Sequence, residues 1–209
     1  MRPGPLIRRA FGPYEAAAAE AYRRAFVDLD DFVERLRNWA PASRRILEVG
    51  CGEGAIAERL AKAYPAAAIT GSDISPTVGR LFRGNRGQVR FLGAPVQQIA
   101  TAEPRDFDLV IMCDVLHHVP PSEREGLLRA VAQTMAPGAC FVLKDWIPSR
   151  APIHWLCSFA DRYLTGDAVV FSPKSTIAGL LSQVFGAAAI RAEASIRPWS
   201  NNVAFLVVP

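Results

Sequence analysis

The segment from Arg45 to Ala55, RILEVGCGEGA, constrains this chain more than any other stretch. A short apolar run carries the carboxylate of Glu48, glycines follow at 50, 52 and 54, and an alanine-rich helical stretch begins. The pattern predicts a strand, a tight turn and a helix N-terminus. Glycine has no Cβ, so a ligand can approach the main chain there. The unpaired amides that open a helix favour negative charge. The plainer reading is a turn that only joins two elements, since short glycine motifs recur by chance.

Two nucleotide-type ligands compete for such a turn. Gly50-x-Gly52-x-x-Ala55 fits a dinucleotide fingerprint, and Asp73 lies 19 positions past Gly54, about where a ribose-binding acid belongs. Glu48 separates the two. Its carboxylate repels a pyrophosphate and attracts an ammonium or sulfonium. A nicotinamide enzyme would also need a second substrate domain.

Strand-like and helical stretches alternate around the turn. Apolar runs predict strands at 44–49, 67–72, 89–92, 107–113 and 140–144, and a terminal pair at 187–192 and 203–208. Phe26, Leu29, Phe32, Val33, Leu36 and Trp39 recur at helical spacing, which predicts helix from Tyr14 to Trp39, ended by Pro41. Helices are expected at 54–63, at 75–83 behind Ser75-Pro76, from the capping box Ser122-x-x-Glu125 to Met135, and from Ser172-Pro173 to Phe185. Residues 1–12 read as a loose arm. Alternating strands and helices imply a doubly wound α/β sheet with ligands beyond the carboxyl ends of its strands.

Four stretches in order carry a resemblance. Leu47 to Gly54 resembles the first motif of the class I S-adenosylmethionine-dependent methyltransferases, and Gly71-Ser72-Asp73-Ile74-Ser75 the second. Phe107 to Val119 resembles the fourth, and Leu128 to Leu143 the helix, turn and fifth strand after it. The match covers roughly residues 43–146 and is best with the small-molecule, quinone-biosynthesis-like group. It implies one Rossmann-like domain with a mostly parallel seven-stranded sheet and an antiparallel C-terminal strand pair. The expected division is 1–42 as arm and lid helices and 43–209 as core, with 146–171 as a substrate-lid insertion.

The resemblance implies S-adenosyl-L-methionine as cofactor and S-adenosyl-L-homocysteine as product. Glu48 would face the ligand's ammonium, and Gly50, Cys51, Gly52 and Gly54 would pack on its methionine part and ribose. Asp73 would accept from the ribose hydroxyls and Ile74 would lie on the adenine. Cys113 or Asp114 would offer a carbonyl to the ammonium. Relatives often carry an acid after the third strand for the adenine amino group. Here the stretch is Leu92-Gly93-Ala94-Pro95-Val96, so the contact falls to Ala94 and Pro95, or to Gln97.

Methyl transfer from a sulfonium asks mainly for proximity, plus a base where the acceptor must lose a proton. His117 and His118 at the rim, Asp145 after the fifth strand, and His154 are the candidates. Against these stand plainer roles: structural hydrogen bonding for the histidines, and a surface ion pair between Lys144 and Asp145. Trp146, Trp155, Phe159 and Tyr163, with Tyr14 and Tyr22 across from them, are the expected acceptor walls. The same aromatics could pack as a plain lid, or dock on a carrier or membrane.

Composition excludes several classes. With 209 residues, 50% hydrophobic and a net charge of +4, the chain is globular and does not call for nucleic acid. Its arginine clusters read as solvated faces. The base-methylating motif with two prolines is absent, since Asp114 leads into Val115-Leu116-His117. Four separated cysteines read as buried thiols of a reducing cytoplasm rather than disulfides, and no spacing specifies a metal site. Met1 to Ala10 lacks the apolar core of a signal peptide, and no apolar run is long enough to span a membrane. The reading is a cytoplasmic transferase that methylates O or C of a small molecule, aromatic or polyene. The alternative is a cofactor-binding enzyme or scaffold subunit that does not transfer methyl. The acceptor and the oligomeric state stay open.

Overall fold

The computed structural model describes residues 15–149 and 169–209. Its elements are α1 (Glu15–Phe26), α2 (Leu29–Trp39), β1 (Arg45–Val49), α3 (Ala55–Ala63), β2 (Ala68–Ser72), β3 (Val89–Leu92) and α4 (Val96–Ala102). There follow β4 (Phe107–Cys113), α5 (Arg124–Thr134), β5 (Met135–Trp146), α6 (Lys174–Phe185), β6 (Ile190–Ser195) and β7 (Asn202–Val207). The seven strands form one sheet in the order β3-β2-β1-β4-β5-β7-β6. The first five run parallel, and β7 lies antiparallel between β5 and β6. This is the doubly wound fold expected from the sequence.

β4 takes the centre because FDLVIMC is apolar nearly throughout and can be buried on both faces. Strand alternation then separates two cores. Ile46, Leu109 and Ile111 pack with Phe32 and Leu36 of α2 and Leu60 of α3. Leu47, Val110 and Met112 pack with Val96 of α4, Leu128 of α5 and Leu181 of α6. An 11-residue helix such as α2 is marginal alone. Burying Phe32 or Leu36 contributes about 1.5–3 kcal/mol each and holds it. The chain leaves β1 toward β2 and β3 and returns to β4 on the other side of β1, which opens a crevice at the carboxyl ends of β1 and β4.

Local details depart from the sequence pattern. The helix expected at 14–39 is two helices. Asp28 is extended (φ −88, ψ 98), and its carboxylate accepts from the amides of Asp30 and Asp31 at 3.1 and 3.0 Å, capping α2. The end of α1 is held by the approach to β7: Trp199 Nε1 donates to Ala25 O at 2.7 Å and Asn202 Nδ2 to Phe26 O at 2.6 Å. The helix expected at 75–83 is a series of turns. Gly79 sits at φ +64, where a Cβ would meet the Phe91 ring at 2.5 Å. The amides of Gly79 and Leu81 donate to Gly52 O and Glu53 O, so tertiary bonds to the glycine turn replace helical ones.

The capping box does not form. Ser122 lies in a 3₁₀ turn, α5 opens at Arg124 without a side-chain cap, and Glu125 bonds Arg129 and Gln183 instead. Helix α6 starts at Lys174 after Pro173, while Ser172 Oγ accepts from Arg124 at 2.6 Å. The seven-residue α4 had no counterpart in the sequence reading. β5 is longer than expected because Met135 already pairs with Phe107, before a register shift brings Cys140 opposite Leu109.

Candidate functional site

The site is built from the carboxyl ends of β1, β2, β4 and β5. At the first of these, Gly50 has φ +75, and a Cβ there would lie 2.2 Å from Val115 Cγ2. Only glycine permits both the conformation and the contact. The amides of Gly50 and Cys51 donate to Ser72 O at 2.8 and 3.0 Å, which ties the turn to the end of β2. Gly54, at φ +95, leads into α3.

Asp73 completes the tie. One carboxylate oxygen accepts from the Gly52 amide and the other from the Ser75 amide, each at 2.7 Å. Each oxygen keeps a second acceptor position. Ile74 beside it is 82% exposed, a large apolar side chain held at the crevice. The Asp73 amide donates to Leu92 O at 3.1 Å, so the stretch with half-buried Ala94 and Pro95 runs alongside; Gln97 is exposed.

Glu48 is 1% exposed, and its Oε2 has no hydrogen-bond partner among the described residues. Burial, and then the neighbouring charge of Asp73, push its pKa up to about 8, against the pull of the Ala57 amide. Cys51, buried in the turn, has its thiol pushed up by burial and by the nearby carboxylates of Glu48 and Asp73.

The other half of the site is a chain of buried and half-buried charges. Cys113 ends β4, its thiol raised by burial and by Asp114, toward which Sγ points at 3.5 Å. Asp114 has φ +56, and both of its carboxylate oxygens accept from Lys144 Nζ, at 2.7 and 2.6 Å. Burial alone would raise Asp114, but the Lys144 ammonium outweighs it and holds the carboxyl low. The same pairing raises Lys144 although burial opposes it.

His117 Nδ1 hydrogen-bonds Asp145 Oδ1, which also accepts from the Trp146 amide at 2.8 Å. Both side chains are buried, at 5% and 3% exposure. The surface pair considered between Lys144 and Asp145 is therefore replaced by two pairs, one buried and one half-buried. Adjacent residues of β5 point to opposite sides, so each finds a different partner in the loop after β4. In that loop Leu116–His118 is a 3₁₀ turn, with the two imidazoles 4.2 Å apart.

Phe171 stacks on the His117 ring at 4.9 Å. Buried Arg124 fixes it there, donating to Val119 O, Ser172 Oγ and Val170 O, while the Val170 amide donates to His117 O. Arg124 escaped the sequence reading because nothing in a helical pattern marks one arginine as buried. Trp146 belongs to the core: it is buried at the end of β5, its ring edge-on to Phe26. Tyr22 lies on α1. Tyr14, His154, Trp155, Phe159 and Tyr163 lie outside the described residues.

Donor atoms of Asp114, His117 and Asp145 lie within 4.8 Å of one another. The Lys144 ammonium already neutralises Asp114, so a divalent ion would have to displace it. At the opposite end of β1–β3, a cleft of about 350 Å³ includes Arg45, Arg90, Glu103 and Asp106. Within it Arg45 pairs with Asp106 and Arg90 with Glu103. Among the described residues, no helix is long and apolar enough to cross a membrane.

Comparison with known proteins matches residues 47–141 to a family model described as a methyltransferase domain. The ubiquinone biosynthesis O-methyltransferase of Bordetella avium is 35% identical over 99 residues, covering 46% of this chain and 39% of that protein. The enzyme of the same name from Aromatoleum aromaticum is 35% identical over 106 residues, covering 49% and 44%. The matched part thus spans about two fifths of these relatives' length. Among solved structures, the Burkholderia thailandensis 1,6-didemethyltoxoflavin-N1-methyltransferase, with bound 1,6-didemethyltoxoflavin and S-adenosylhomocysteine, superposes with a TM-score of 0.67 at 14% identity over 97% of this chain and 86% of its own. The mitomycin 7-O-methyltransferase MmcR gives 0.68 at 16%, over 98% and 57%. At such identities the likeness is one of fold.

Proposed function

We propose that the chain is a class I S-adenosylmethionine-dependent methyltransferase, a reading supported by the methyltransferase-domain match over residues 47–141, and that it transfers a methyl group from S-adenosylmethionine to a hydroxyl of a small aromatic acceptor. The residues present fit the cofactor. Glu48 holds a buried oxygen with no donor among the described residues, suited to the ligand's ammonium. The Gly50 turn offers main chain without side chains, Asp73 keeps acceptor positions for ribose hydroxyls, and exposed Ile74 offers a face for adenine. Main chain at Ala94 and Pro95 would meet the base, and carbonyls at Cys113 or Asp114 the ammonium. Bound there, the cofactor supplies a methyl already activated on sulfonium.

The observation that carries the reading is the buried His117–Asp145 pair beside the loop that packs on Gly50. Asp145 accepts the Nδ1 proton and fixes the tautomer, so Nε2 is the basic nitrogen. With the cofactor bound, Nε2 would take the proton of an acceptor hydroxyl held against it, leaving that oxygen to accept the methyl group. Asp145 stabilises the resulting imidazolium, the role of a buried carboxylate behind a catalytic histidine. Phe171, stacked on the ring, keeps water from one face. His118 borders this base. The relatives' O-methylating names favour oxygen over carbon, and the His–Asp pair favours a transferase over a scaffold.

The domain division 1–42 and 43–209, with 146–171 over the acceptor, is part of this proposal. His154, Trp155, Phe159 and Tyr163, with Tyr14 and Tyr22, would form its walls. The acceptor is a free small molecule in this account, and the free thiols of Cys51, Cys113 and Cys140 favour a cytoplasmic setting. The test is incubation with methyl-labelled cofactor and a panel of catechols and hydroquinones, read by mass spectrometry. Label on an acceptor oxygen, lost in His117→Asn, is the expected result. Tight cofactor binding with no transfer to any acceptor would favour the scaffold.

A further inference from the structure

Lys144 has no part in the reaction above, yet it is 1% exposed near the end of a central strand. A buried ammonium is costly unless paired, so its place asks for a reason. Lys144 grips one residue twice. Its Nζ donates to both carboxylate oxygens of Asp114, and its carbonyl accepts from the Asp114 amide at 3.0 Å. Asp114 sits at φ +56, a conformation that residues other than glycine adopt at a cost and hold only when surroundings enforce it. The next residue, Val115, presses its Cγ2 into the space where Gly50 lacks a Cβ. One path therefore runs from Lys144 through Asp114 and Val115 to the glycine turn.

We propose that Lys144 is a positioning residue for the cofactor: by clamping Asp114 in its left-handed conformation it holds Val115 over Gly50 and keeps the Cys113–Asp114 main chain against the cofactor pocket. This rests on the cofactor reading given above. The alternative role is stability alone, as for any buried ion pair. The two differ in what happens when both charges are removed together. Asparagine tolerates the left-handed region well, so Lys144→Met with Asp114→Asn leaves no stranded charge and no new strain, but cuts the side-chain half of the link.

The test is calorimetric titration of S-adenosylhomocysteine into four proteins, with folding checked by circular dichroism and thermal melting. These are the wild type, Lys144→Met, the double variant, and Leu128→Ala, a core deletion in α5. The clamp predicts affinity weaker by roughly tenfold or more in both Lys144 variants, the range for a lost charged hydrogen bond, and wild-type affinity in Leu128→Ala. If Lys144→Met does not fold, the double variant decides. A folded Lys144 variant that binds within about twofold of wild type overturns the clamp, as does an equal loss in Leu128→Ala. A wild type that binds no S-adenosylhomocysteine overturns the cofactor reading itself, and the clamp with it.

Discussion

Glu48 is expected to change its protonation when the cofactor binds, and this makes affinity depend on pH in a calculable way. In the free protein burial and Asp73 push its pKa to about 8, from an ordinary 4.5, and among the described residues its Oε2 has no donor to stabilise charge. Burial raises the thiols of Cys51 and Cys113, and the Glu48 carboxylate adds to both shifts. Near neutral pH the free carboxyl therefore carries its proton. A ligand ammonium favours the ionised form, so binding must expel that proton. The cost is about 1.4 kcal/mol, or tenfold in affinity, for each pH unit below the free pKa. S-adenosylhomocysteine should bind about tenfold more tightly at pH 7 than at pH 6, with about one proton released. Calorimetry in two buffers of different ionisation enthalpy reads both quantities; the range stays below roughly pH 7.5, where the ligand's own amine begins to titrate. Glu48→Gln should flatten the dependence, approaching wild type at low pH and falling behind as pH rises. An affinity constant between pH 6 and 7, with no proton release, would refute the reasoning.

The same carboxyl should destabilise the free protein as pH rises: a raised pKa gives stability that is complete below about 4.5 and lost through about 8, so the melting temperature of wild type should fall across that window relative to Glu48→Gln. Gly50→Ala, with its Cβ 2.2 Å from Val115 Cγ2 at φ +75, should lose S-adenosylhomocysteine binding in calorimetry and melt earlier, by a strain of about 1–3 kcal/mol. His117→Asn should lower turnover by about 10²–10⁴ while cofactor affinity stays near wild type, which separates a base from a binding residue. Ser122→Ala should change stability in denaturant titration by less than about 0.5 kcal/mol, because the capping box does not form.

The sheet was legible because several of its strands are rich in apolar residues, Phe107–Cys113 above all. The glycine turn was legible because left-handed backbone and close packing leave glycine no substitute. What escaped depends on partners far away in sequence. Residues 75–83 read as helix because the pattern cannot show that Phe91 needs the space beside Gly79. The break at Asp28 hides inside a continuous apolar stripe that serves both helices. The charged residues were found, but not their pairing: Lys144 and Asp145 are neighbours in the chain and opposites on the strand, so Asp114 takes one and His117 the other. Arg124 was invisible, since its burial follows from three main-chain and side-chain acceptors that converge only in the fold.

The central claim is that the turn at Gly50, with Glu48 and Asp73, holds S-adenosylmethionine rather than a dinucleotide. The direct test is parallel titration of the protein with S-adenosylmethionine, S-adenosylhomocysteine and NAD. Saturable binding of the first two, with NAD silent, is the predicted result. NAD binding with the adenosyl thioethers silent would contradict the account at its base.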